Sequence, residues 1–179
     1  MRRTLLSSAV ALVGVVALVV IGAAGGAQAK KPALSATPVF KLHLKPSQEV
    51  PAIKGLKADA VGSVTFDLTR NPSGVIIGGE VVFSFNYSFP AAVQVSGLHI
   101  HKGDKGANGE VEIGAVLSGA DSALDADGHG NVTSFVPGDA VELQAILNDP
   151  RAYYVNLHTS TPPHLGGALR AQLHNPKKR

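Results

Sequence analysis

Apolar and polar residues alternate along most of the chain between residues 39 and 173, in short runs separated by turn signals. In the first run, Phe40, Leu42 and Leu44 fall on one face, and the residues between them fall on the other. A period of two is typical of a β-strand that buries one face. The same pattern predicts about eight strands, at residues 39–44, 61–68, 75–85, 93–101, 111–117, 131–135, 153–159 and 169–173.

Residues 140–147 depart from this period, because their apolar positions do not alternate cleanly. Asp139 is suited to cap the start of a helix, and Asn148-Asp149-Pro150 is suited to end one. We therefore predict one short helix in this segment. With the strands, it gives an all-β, antiparallel, Greek-key-like sandwich or barrel of about eight strands and one short helix.

The first 29 residues have the order of parts found in a secretory signal peptide. Arg2 and Arg3 come first, an apolar segment follows at residues 5–21, and Ala27-Gln28-Ala29 supplies a small-x-small cleavage site. The apolar segment is long, so an uncleaved membrane anchor is the alternative. We expect residues 30–38 to be a linker, residues 39–174 the β-domain and residues 175–179 a basic tail. The expected location is secreted, extracellular or in the cell envelope.

Composition and charge narrow the range of functions. The chain has no cysteine, which excludes disulfides, thiol catalysis and Cys-ligated zinc or iron–sulfur sites. Seven of the 16 Lys and Arg residues lie in the leader and the terminal tails, so the body carries nine basic residues against 13 acidic ones. With this balance, we expect no basic surface that could bind a phosphate backbone, and nucleic acid is not an expected partner.

Histidine recurs at the ends of two predicted strands. His99 and His101 flank one aliphatic residue, and Asn156 and His158 flank another. Alternation places all four side chains on the outer face of the sheet. If the strands are neighbours, the three imidazoles converge beneath the loops at residues 102–110 and 160–167. They would then suit Zn²⁺ or Cu²⁺, with a fourth position open to water or substrate; the alternative is that they only fasten the two loops by hydrogen bonds.

Other motifs of catalysis and metal binding are missing. The stretch from Asp125 to Asn131 resembles the start of a calcium loop, but Val136 stands where the bidentate Glu is needed. No serine lies in a nucleophile elbow, and no glycine-rich loop is suited to phosphate. The sequence therefore assigns no reaction and favours a non-enzymatic role.

Several segments together resemble the chordin-type, or CHRD, domain family. They are Glu49-Val50-Pro51-Ala52, Ala60-Val61-Gly62, Leu98-His99-Ile100-His101, Asn108-Gly109-Glu110-Val111, the run from Tyr154 to Thr159, and the run from Gly166 to Leu173. The resemblance spans roughly residues 40–173. It implies an exported protein, because CHRD domains occur in exported proteins, and in animal chordin they accompany modules that bind growth factors. Ala168 stands where the family usually has Glu, and the loss of that carboxylate disfavours catalysis.

Two functions from different classes follow. The first is a secreted CHRD-type protein that acts as a non-enzymatic extracellular binding or structural module. Its partner would be an unidentified extracellular protein or surface ligand, with a membrane involved only if the leader is kept. The second is a Zn- or Cu-binding protein whose metal ligands are His99, His101 and His158. Such a protein could also have a redox function. The candidate binding residues are His99, His101, Asn156, His158 and, from the resemblance, Arg170.

Overall fold

The structure, a computed structural model, describes residues 37–118 and 122–175. The predicted leader and the first seven residues of the predicted linker lie outside these ranges. Within them the chain forms nine strands: β1 (Val39–Leu44), β2 (Asp59–Arg70), β3 (Ile76–Ser88), β4 (Val93–Lys102), β5 (Val111–Val116), β6 (Leu124–Asp125), β7 (His129–Gly138), β8 (Tyr153–Thr161) and β9 (Pro163–Gln172). One α-helix, α1 (Ala140–Asn148), follows β7, and short 3₁₀ helices lie at Pro46–Gln48 and Pro150–Ala152.

The strands form two antiparallel sheets. The first has the order β1-β2-β3-β7, and the second has the order β5-β4-β8-β9, with β6 paired to β4. Lys45 and Arg170 join the sheets at one edge, since the amide of each donates to the carbonyl of the other at 3.0 and 3.2 Å. Among the described strands the sheets do not close into a barrel. The predicted all-β class is confirmed, in its sandwich form.

The core lies between the sheets and is aromatic on one side and aliphatic on the other. The first sheet supplies its largest fully buried side chains, Phe40, Phe66, Phe83 and Phe85, and the second supplies Leu98, Ile100, Leu157 and Leu169. Phe40 and Phe66 pack edge to face, with ring centroids 5.5 Å apart. Each such side chain contributes about 1.5–3 kcal/mol on burial, so packing holds a cysteine-free domain of this size together.

The predicted helix is confirmed and ends one residue later than expected. The Asp139 carboxylate accepts hydrogen bonds from the amides of Val141 and Glu142, and this fixes where the helix starts. The helix packs on the core through Leu143 and Ile146, which are fully buried. The helix is therefore placed by its cap and by one apolar face.

Two details of the strand prediction are wrong. The two-residue strand β6 was not expected, because a pair this short carries no alternation that a pattern could reveal. The segment predicted as a loop at residues 160–167 is mostly extended: β8 runs to Thr161, Pro162 makes the turn and β9 begins at Pro163. Consecutive prolines suggested a loop, but proline fits the first position of a strand, where it need not donate to a neighbour.

No helix in the described part of the chain is long and apolar enough to cross a lipid bilayer.

Candidate metal centre

The predicted histidine cluster forms on the outer face of the second sheet. Leu98 and Ile100 of β4 are fully buried in the core, so His99 and His101 point to the other side. Strand β8 pairs directly with β4, placing Asn156 opposite His99 and placing His158 opposite Gly97. The predicted adjacency of the three histidines is therefore confirmed.

The three imidazoles lie within contact distance of one another. Ring centroids are 4.5 Å apart for His99 and His158, 5.5 Å for His99 and His101, and 5.9 Å for His101 and His158. One nitrogen from each ring lies within 4.8 Å of the other two. Nitrogens bound to one Zn²⁺ at about 2.0–2.1 Å can be no more than about 4 Å apart. The nitrogen–nitrogen distances therefore exceed those around a bound Zn²⁺ ion by no more than about an ångström.

Backbone carbonyls fix the tautomers of two of these histidines. His101 Nδ1 lies 3.0 Å from the Gly109 carbonyl, and His158 Nδ1 lies 3.0 Å from the Leu165 carbonyl. A carbonyl oxygen only accepts hydrogen bonds, so both Nδ1 atoms must carry the proton. Each Nε2 atom is then left with a free lone pair. Donation of the second ring N–H to a backbone carbonyl is the usual support of a metal-binding histidine.

Each imidazole of the cluster has one buried nitrogen that is unpaired in the described part of the chain. Among residues 37–118 and 122–175, no group forms a hydrogen bond with His99 Nδ1, His101 Nε2 or His158 Nε2, and all three atoms are buried. A buried acceptor without a donor costs about 1–3 kcal/mol. The Nε2 atoms of His101 and His158 are such acceptors, and with one nitrogen of His99 they form a site that a cation would satisfy.

Burial also keeps the three imidazoles neutral. It lowers the pKa of His99 to about 4, and the neighbouring His158 and His101 add to this effect. Burial lowers the pKa of His101 and of His158 as well. Neutral imidazole is the form that binds a metal, so the cluster needs no proton release at neutral pH.

Two glycines make room for His99. A Cβ atom at Gly114 would lie 2.9 Å from His99 Cδ2, and one at Gly97 would lie 3.1 Å from His99 Nε2. The His99 ring therefore rests on two strand positions that have no side chain. Its orientation is set by packing, while that of His101 and His158 is set by hydrogen bonds.

The other two predicted binding residues are buried beside the cluster. Asn156 and Arg170 are each only 2% exposed. Asn156 Nδ2 donates to the Gly166 carbonyl at 3.4 Å, and its Oδ1 atom has no partner among the described residues. Arg170 lies next to Asn156 on β9 and contacts the loop at residues 103–110. The structure thus gathers all five candidates on one face.

Sequence reasoning missed two residues of this face. The Tyr154 ring stacks on His101, with centroids 4.9 Å apart and planes 5° apart. Glu49 is only 7% exposed, and its Oε1 atom has no hydrogen-bond partner in the described part of the chain. Burial raises the pKa of Glu49 to about 7, although Arg170 and Asn156 act in the opposite direction. Both residues lie in segments that carry the family resemblance, and Tyr154 also lies two residues before Asn156, but neither residue was assigned to the site.

An open groove of about 640 Å³ lies elsewhere, around His43, Lys45, Lys54, Lys57 and Asp59. None of the candidate residues lines it. His43 Nε2 lies 2.8 Å from an Asp59 carboxylate oxygen there, and both side chains are more than two-fifths exposed. The groove is an ordinary solvated surface, and the converging buried nitrogens make the histidine cluster the stronger site.

Comparison with protein families gives one match: the CHRD domain model covers residues 40–173. The chain therefore belongs to the CHRD-domain family. The match runs from β1 to the residue after β9 and includes every candidate residue named above. Searches among curated proteins and among solved structures found no match. Ala168, named above as a departure from the pattern that the resemblance implies, is fully buried.

Proposed function

We propose that this CHRD-domain protein binds one Zn²⁺ or Cu²⁺ ion through His99, His101 and His158. Two observations carry the proposal: one nitrogen from each of the three rings lies within 4.8 Å of the other two, and each ring has a buried nitrogen with no hydrogen-bond partner among the described residues. Neutral nitrogen ligands of this kind favour Zn²⁺ and Cu²⁺ over Mg²⁺ or Ca²⁺, which prefer oxygen.

A purely structural role explains less of the geometry. Hydrogen bonds that fasten the covering segments account for the Nδ1 atoms of His101 and His158. They do not account for the two Nε2 atoms, nor for His99, whose Nδ1 atom has no partner in the described part of the chain. A metal ion satisfies all three nitrogens at once, so metal binding is favoured.

We also propose that the protein acts outside the cytoplasm. The support is in the sequence, where Arg2 and Arg3, the apolar segment at residues 5–21 and the site Ala27-Gln28-Ala29 follow in the order of a signal peptide. In that setting the metal site belongs to an extracellular or envelope module, and a protein or surface partner remains an additional role of the same module.

Calorimetric titration of Zn²⁺ and of Cu²⁺ into protein without a polyhistidine tag tests the metal proposal. We expect one ion per chain in the wild type, and binding weaker by at least about 100-fold in His101→Ala, since one of three ligands is lost. His129→Ala is the matched control, because His129 is exposed and lies on the other sheet. It should bind as the wild type does.

Equal and weak binding in all three proteins would overturn the proposal. The cluster would then be a structural fastening of the two covering segments, and the protein would be left with the role of a non-enzymatic binding module.

A further inference from the structure

We infer that Arg170 is the positioning residue of the histidine cluster, which it holds in shape through the loop at residues 103–110 and through the Tyr154 ring. The inference rests on the metal-binding function proposed above. Arg170 makes no contact with the ion in this account; it acts on His101 through two neighbours.

The first connection runs through the loop. The Arg170 guanidinium donates to the Asp104 carbonyl at 3.2 Å, to the Ala107 carbonyl at 2.8 Å and to Asn108 Oδ1 at 3.2 Å. The next residue, Gly109, supplies the carbonyl that accepts from His101 Nδ1. The three contacts therefore hold the loop in the position that sets the tautomer of His101.

The second connection runs through Tyr154. The Arg170 Cζ atom lies 3.4 Å from the centroid of the Tyr154 ring, and the His101 ring stacks on the same tyrosine. Since β8 lies between β4 and β9, Arg170 and His101 approach the ring from opposite sides. A cation stacked on an aromatic ring in a dry setting is a favourable contact. The stack fixes the plane of the His101 imidazole.

The chemistry of these contacts requires arginine. A guanidinium offers five N–H donors in a rigid plane, so it can meet three acceptors and stack on a ring at the same time. A lysine ammonium keeps the charge, but it is not planar and its donors all lie on one nitrogen atom. Replacement by lysine therefore removes the hydrogen bonds to the loop and the stack on Tyr154, and it keeps the positive charge.

That distinction matters because the charge of Arg170 acts against a bound cation. Loss of the charge alone would strengthen metal binding, whereas loss of the loop contacts would weaken it. Arg170→Lys isolates the second effect. Arg151→Lys is the matched control, since Arg151 is exposed and precedes β8.

The test measures metal affinity by competition with a chromophoric chelator, and the ring nitrogen shifts of His101 by NMR in metal-free protein. We expect Arg170→Lys to bind metal about 10- to 100-fold more weakly, the usual loss for a supporting partner of a ligand. The His101 shifts should show a mixture of tautomers in place of one. Arg151→Lys should match the wild type in both measurements.

Asn108→Ala provides a second variant if Arg170→Lys does not fold, because it removes one acceptor of Arg170, together with the Asn108 contact to the Val50 carbonyl, and does not alter the Tyr154 stack directly. It should show the same changes in smaller measure. Wild-type affinity and an unchanged single His101 tautomer in the folded variants would overturn the inference. Failure of the wild type to bind any metal would instead overturn the proposed function, and the nitrogen shifts would still decide the role of Arg170.

Discussion

Each histidine of the cluster owes its orientation to a different neighbour. His101 is held by the Gly109 carbonyl and His158 by the Leu165 carbonyl, whereas His99 rests where Gly97 and Gly114 have no side chain. Hydrogen bonds thus orient two of the three imidazoles, and packing orients the third. At the residue scale, the common consequence is a neutral imidazole, buried in His101 and His158 and half-buried in His99.

Neutral burial of His99 makes stability depend on pH. Its pKa is about 4 in the folded protein and about 6.5 when unfolded, so the unfolded chain binds more protons between these values. The contribution of His99 is complete above about pH 6.5 and is lost as the pH falls towards 4. We expect the difference in free energy of unfolding between wild type and His99→Asn, measured in urea without metal, to shift against the wild type by up to about 3 kcal/mol as the pH falls through this window.

The carboxyl of Glu49 acts with the opposite sign, and the comparison must allow for it. Its pKa is raised to about 7, so its contribution is complete below about pH 4.5 and is lost as the pH rises to 7. Both proteins keep Glu49, and this effect cancels in the difference between them. An identical pH dependence in wild type and His99→Asn would contradict the predicted burial of a neutral His99.

At the scale of elements, the covering segments differ in kind. The loop at residues 103–110 is irregular, and side chains of β9 anchor it: Gln172 Nε2 donates to the Gly103 carbonyl at 2.8 Å, and Arg170 holds the middle. The other cover is the β8–β9 hairpin, in which ladder pairs hold Ser160 against Pro163. The site is therefore covered by a loop that side-chain hydrogen bonds hold and by a hairpin that backbone pairing holds.

The helix gives a prediction at this scale. Asp139 and Glu142 form a capping box at the start of α1. Asp139→Ala should lower the free energy of unfolding by about 1 kcal/mol, because two helix amides lose their acceptor. Urea denaturation at constant pH measures the change.

Glu142→Gln is the control for the cap, because glutamine also serves in a capping box. It should change stability much less than Asp139→Ala does. An equal loss in both variants would show that charge near the helix start, rather than the hydrogen bonds of Asp139, stabilises this end.

At the scale of the whole molecule, we predict export with cleavage after Ala29. The small residues Ala27 and Ala29 flank Gln28 in the arrangement that a signal peptidase accepts. The intact mass of the exported protein should correspond to a chain that begins at Lys30. Replacement of Ala29 by arginine should block this processing, whereas Gln28→Ala should not.

Full-length wild-type chain in a membrane fraction would contradict cleavage. It would establish the alternative, in which the apolar segment at residues 5–21 remains as an anchor.

The sequence by itself determined the properties that arise from neighbouring residues. Period-two alternation placed Phe40 and Leu42 inside and His99 and His101 outside, because side chains alternate along any strand. Asp139 located the start of the helix, because a cap acts within one turn. Local motifs also carried the resemblance to the CHRD family, whose model matches residues 40–173.

Only the tertiary structure decided which strands are neighbours and what lies over them. The pairing of β4 with β8 brings His158 to residues almost 60 positions earlier, and alternation within either strand carries no information on that partner. Burial of Glu49 and the contacts of Arg170 with Asp104 and Ala107 likewise depend on chain segments that meet only in the fold. The physical reason is that register and loop packing are set by the shared core, which no single segment contains.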